Sequence, residues 1–237
     1  MNTPAPCLQP VVVEGLTNAE FLERYAGPGR VGLCGGADVI NRVIRNLQYH
    51  VTADGERSPW SHAFLCSGRR VDGQHWVLES DLDLRHKQIR LGVQENRIDR
   101  YHDEEAFPNL AILDFGLDEA QTNKVLTSGL DLLAGLSHYS LRELIGTLLA
   151  IQHTPLRRRR NLLESEGALY CSAMVQHCYA ALDIEFVPGV HRKNVTPHDI
   201  ASCAHPHTAY TLVRQRGVST ISRLRTRVGE MIDNVSG

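Results

Sequence analysis

The sequence predicts an α+β fold in which a small antiparallel sheet packs against a helix that starts at Cys171. Two observations carry that reading. Residues His62–Cys66 and Gln74–Ser80 read as two strands joined by a polar turn with Gly68 and Asp72-Gly73. Apolar residues recur at helical spacing over about 38–49 and 169–182. The 237 residues, 42% hydrophobic, suffice for one sizeable core, and the whole chain, 1–237, is read as a single domain.

In chain order, Thr17 and Glu20 stand at capping-box spacing, and Gly27-Pro28-Gly29 ends the short helix they open. Val39, Ile40, Val43, Ile44 and Leu47 form the stripe of a second helix, and 54–59 is a loop. Beyond the hairpin, strands are expected near 89–93 and 111–115. Residues 118–136 and 140–153 read as helices, the second opened by Ser140 and Glu143 and stopped by Pro155. The run Arg157–Arg160 is a solvated loop or an anion site. A strand is expected over 209–213, and 216–237 reads as an amphipathic helix with Ile221, Leu224, Val228, Ile232 and Val235 on one side.

A formal net charge of -2 gives no field toward nucleic acid. No stretch approaches the roughly 20 apolar residues of a membrane span. The N-terminus lacks the basic-then-apolar pattern of a secretory signal, so a cytoplasmic protein is expected, with a specialised export route left open. The six cysteines contain no Cys-x-x-Cys pair, and a disulfide framework is not expected. Cys203, His205 and His207 lie close together without a second ligand pair, so they read as loop polarity rather than a zinc site; no metal or cofactor is expected.

A thiol is an effective nucleophile only as thiolate. Cys171 stands at a helix start, where unpaired N–H groups favour negative charge, and His62 on a strand can act as its base. Glu79, on the neighbouring strand, can orient the ring, with Asp81 as the alternative on the same face. The residues alone leave other readings open. Cys171 also fits a core stripe with Met174, Val175, Cys178 and Leu182, and His50, His75, His86 or His191 can take the place of His62.

Short motifs add to this. The helix 39–47 is followed by Ser58-Pro59-Trp60-Ser61-His62-Ala-Phe-Leu, then Val77-Leu78-Glu79-Ser80, Tyr170-Cys171-Ser172 and Thr196-Pro197-His198-Asp199-Ile200. The set resembles the permuted NlpC-type branch of papain-like cysteine hydrolases, which includes YiiX-like and YaeF-like bacterial proteins. The order His, Glu, Cys reverses the usual papain-like order and suits that permuted branch. The resemblance spans about residues 30–215 and implies a circularly permuted papain-like fold with 118–160 as a helical insertion. It implies Cys171 as nucleophile, His62 as base and Glu79 as the third member. One departure is Ala173-Met174, where the family carries an acidic residue two places after the cysteine.

The expected activity is hydrolysis of an amide, peptide or ester bond through a thioester. A thioesterase or acyltransferase acting on lipid acyl groups, and a non-catalytic binding module on the same fold, are the alternatives. The expected partner is a peptide, amide or acyl substrate.

Overall fold

The computed structural model describes residues 8–37, 39–48, 58–83, 90–135 and 171–214. These residues form a mixed α+β structure around a seven-stranded sheet. The strands are β1 (Leu8–Val13), β2 (Val31–Gly35), β3 (His62–Arg69), β4 (His75–Asp83), β5 (Arg90–Arg97), β6 (Asn109–Asp114) and β7 (His207–Leu212), in the spatial order β1-β7-β6-β2-β3-β4-β5. Only the edge pair β1–β7 is parallel; the other pairings are antiparallel. The sheet is thus larger than the small antiparallel one expected, and mixed.

The helices are α1 (Asn18–Tyr25), α2 (Val39–Leu47), α3 (Glu119–Ala134), α4 (Cys171–Tyr179) and α5 (Pro197–Ala201). Both expected features of α1 are present. The Thr17 hydroxyl accepts the Glu20 N–H at 3.2 Å, and the Glu20 carboxylate accepts the Thr17 N–H at 2.8 Å. Asp118 and Gln121 build the same box for α3. The expected helices 140–153 and 216–237, the run Arg157–Arg160 and residues 136–160 of the expected insertion lie outside the described residues.

Strand alternation divides the core into two layers. Val31, Leu33, Ala63, Leu65, Leu78, Ala111 and Leu113 face α3 and α4, where Val125, Met174, Val175 and Tyr179 are fully buried. Cys34, Phe64, Cys66, Val77, Leu110 and Ile112 face α1 and a 3-10 turn over Ile98–Tyr101, where Phe21, Leu22 and Tyr101 fill the layer. Burying each such large apolar side chain contributes roughly 1.5–3 kcal/mol.

Gly32 and Phe64 are direct cross-strand partners, and the Phe64 ring lies over the glycine; a Cβ there would fall 2.0 Å from a ring carbon. Phe64 in turn stacks on Tyr101 at a centroid distance of 4.5 Å. This glycine is a packing requirement: it lets an aromatic layer close over β2.

Candidate functional site

His62 is the first residue of β3, and the loop before it is built by the serines of the motif. Ser58 accepts the Trp60 N–H at 3.2 Å, turning the chain. The buried Ser61 hydroxyl accepts the Gly36 N–H at 3.0 Å and lies 3.3 Å from the Cys34 carbonyl, to which it donates. Gln48 Nε2 donates to the Trp60 carbonyl at 2.7 Å, and Gln48 Oε1 accepts the His198 N–H at 3.0 Å. These bonds tie α2, the loop and α5 together and fix where β3 begins.

The His62 ring stays in the layer of even-numbered β3 residues, 6.3 Å from the Tyr101 ring and inclined at 28°. Helix α4 packs on the opposite layer. Histidine and cysteine meet because each is the first residue of its element, at the end of the sheet where the layers join.

There the Cys171 thiol, half-buried, hydrogen-bonds to the His62 imidazole. Burial pushes the thiol up, but the charge and hydrogen bond of His62 outweigh it, and N–H groups of Ala63 and Ser172 add to the effect. The thiol is held below the ordinary thiol value. The Ala63 donor has a structural origin. Cys66 N–H bonds to the Arg30 carbonyl of the β2 side at 2.8 Å, so even residues of β3 address β2 and odd ones point away. The β3–β4 ladder starts at Leu65↔Leu78, so the Ala63 N–H lies beyond it and is available to sulfur.

His62 Nε2 faces Glu79 Oε2 at 2.9 Å, which leaves Nδ1 as the nitrogen for the sulfur. Glu79 is fully buried. Its Oε1 accepts Asn96 Nδ2 at 2.7 Å and Arg100 Nη1 at 2.5 Å, and its Oε2 also accepts the Tyr101 hydroxyl. Burial alone would raise this carboxyl. The His62 hydrogen bond, the charges of Arg100 and His62, and the Tyr101 hydroxyl reverse that and bring it to about 2.

The structure thus brings Cys171, His62 and Glu79 together. Of the alternative histidines, His75 lies in the β3–β4 hairpin, 3.1 Å from Arg69 and 3.7 Å from Glu23, and His191 precedes a 3-10 turn. His50 and His86 lie outside the described residues. The backbone of Asp81 pairs with Gly92 in the β4–β5 ladder.

Cys203 and His207 are buried rather than loop polarity. Cys203 Sγ lies 3.8 Å from His207 Nδ1, the nitrogen that also faces the His205 carbonyl at 2.7 Å. Among the described residues, no group of three or more His, Cys, Asp or Glu is arranged to hold a metal ion.

Sequence reasoning missed Asn96, Arg100 and Tyr101. The alternation of β5 places Asn96 opposite Val77, but the turn that follows it carries no motif.

Two further motif segments support helix α4. The Ser172 hydroxyl donates to the Val195 carbonyl at 2.6 Å. Thr196 and Asp199 form a buried capping box for α5, with Pro197 at its first turn. The Thr-Pro-x-Asp pattern is thus structural: it fixes the segment on which α4 is anchored.

No helix among the described residues is long and apolar enough to cross a membrane. No protein-family model matches the sequence, and a comparison with curated proteins finds no relative. Among solved structures, the chain is similar to the metalloprotein yiiX (DUF1105) from Escherichia coli O157:H7. The match has a TM-score of 0.50 and 14% sequence identity, and covers 81% of this chain and 98% of that one. The likeness concerns the fold: this chain has a YiiX-like α+β architecture.

Proposed function

We propose that this protein is a cysteine-nucleophile hydrolase acting on an amide, peptide or ester bond, with a Cys171–His62–Glu79 triad on a circularly permuted papain-like fold. The observation that carries the reading is the unbroken run from half-buried sulfur through imidazole to a fully buried carboxylate. A core cysteine needs no such partners; the buried Cys66 and Cys178 thiols are pushed up to about 12, as burial dictates.

In this mechanism Glu79 accepts the Nε2–H of His62 and favours the imidazolium. Nδ1 holds the proton taken from Cys171. The thiolate attacks the acyl carbon, and the carbonyl π pair moves onto oxygen. Collapse of that oxyanion expels the amine or alkoxide, which takes the proton from Nδ1, and leaves a thioester on Sγ. Water then attacks the thioester carbon and gives its proton to Nδ1. The second collapse returns the thiolate and releases the acid.

The test is acylation by an activated ester, such as p-nitrophenyl acetate, followed by intact mass measurement. The expected result is a single acetyl adduct on Cys171 that decays with acetate release. The adduct should be absent in Cys171→Ser, and its formation about 10²-fold slower or more in His62→Ala. Acylation spread over lysines, or equally fast without His62, would remove the reading.

A further inference from the structure

The Glu79 carboxylate meets more donors than aligning an imidazole requires. Asn96 and Tyr101 are neutral groups that would fix it by hydrogen bonding alone. Arg100 adds a full positive charge on Oε1, the oxygen turned away from His62, and its side chain is 24% exposed. Its guanidinium carbon stands 5.6 Å from the centre of the Tyr101 ring. These donors come from the end of β5 and the 3-10 turn that follows it without a break, so one short segment closes over the buried carboxylate.

We propose that Arg100 is a positioning residue for the Cys171–His62 pair: its ion pair with Glu79 keeps that carboxylate charged and aimed at Nε2, so that Nδ1 stays committed to the sulfur. The inference rests on Cys171 being the nucleophile. The groups concerned are His62 from β3, Asn96 from β5, Arg100 and Tyr101 from the turn, and Cys171 from α4 beyond the ring. In the reactive state their charges sum to zero: thiolate, imidazolium, carboxylate and guanidinium. Removing the guanidinium leaves two courses. Glu79 takes up a proton and releases its hold on Nε2, or it stays charged and faces the thiolate uncompensated. Either course disfavours thiolate at mildly acid pH.

The experiment is alkylation of Cys171 by iodoacetamide as a function of pH, followed by intact mass. The variants are Arg100→Met, Glu79→Gln, and the two combined. The Arg100→Met rate should fall by about tenfold at mildly acid pH and match the parent at alkaline pH, where any thiol ionises. The same substitution in the Glu79→Gln background should have a clearly smaller effect, because the group Arg100 acts on has changed. An equal effect in both backgrounds, or no displacement of the pH profile in Arg100→Met, overturns the inference.

Arg100→Met leaves a buried carboxylate unpaired, whereas the double variant removes both charges. If the single variant does not fold and the double variant does, the dependence on Glu79 is upheld. If neither folds, Arg100 serves the fold independently of Glu79 and the inference fails. Failure of the nucleophile reading has a separate signature: parent protein whose Cys171 alkylation does not depend on His62.

Discussion

At the scale of single residues, the site works by opposing burial with specific partners. Cys171 and Glu79 both lie where burial disfavours the charged form, and both are nonetheless displaced toward ionisation. Cys66 and Cys178 are buried more deeply, and no imidazole is among the groups that act on them to reverse the effect. The role of Glu79 follows from its bond to Nε2. Glu79→Gln can still accept a hydrogen bond, but it no longer balances an imidazolium. Acylation by p-nitrophenyl acetate at neutral pH is expected to slow by about 10²-fold or more, with the residual adduct still on Cys171. Unchanged acylation would make Glu79 a purely structural group.

At the scale of elements, His62 and Cys171 meet through where β3 and α4 begin. The serines around Pro59 and the Ser172–Val195 bond set those starting points. The hairpin β3–β4 was legible through its polar turn with Gly68 and Asp72-Gly73, α1 through its capping box, and α2 through the helical recurrence of its apolar residues. β2 was not, because Val31–Gly35 is buried on both faces and contains two glycines, which erases alternation. β1 was hidden by Pro10, which this edge strand tolerates. His62, Glu79 and Cys171 were legible through motif resemblance. Arg100 and Tyr101 were not, since only the fold returns the turn after β5 to Glu79. Gly32 supplies the test at this scale. Gly32→Ala forces the Phe64 ring off β2, and with it the stacked Tyr101. The expected cost is about 1–3 kcal/mol in denaturant unfolding, accompanied by slower Cys171 alkylation. A variant as stable and as reactive as the parent would refute the packing chain from Gly32 to Glu79.

At the scale of the whole molecule, the buried carboxylate links the site to stability. The folded-state value of Glu79, about 2, lies below the 4.5 of an unperturbed glutamate. The ionised form therefore stabilises the fold fully above the unfolded value, and that stabilisation is lost as pH falls through the folded one. Its size is on the order of 3 kcal/mol. Denaturant unfolding between mildly acid pH and strong acid should show this loss, and the Glu79→Gln/Arg100→Met double variant should lack it; identical profiles would show that Glu79 is not held ionised. The same network depends on chain segments far apart in sequence reaching one end of the sheet, so its integrity reports on the whole fold. The most direct measurement of the central claim is the ultraviolet thiolate absorbance of the parent minus that of Cys171→Ser, titrated against pH and repeated in a His62→Ala background. A Cys171 thiolate signal present well below the ordinary thiol range and lost without His62 is the predicted result. A Cys171 that ionises like a free or buried thiol, with or without His62, would contradict the account.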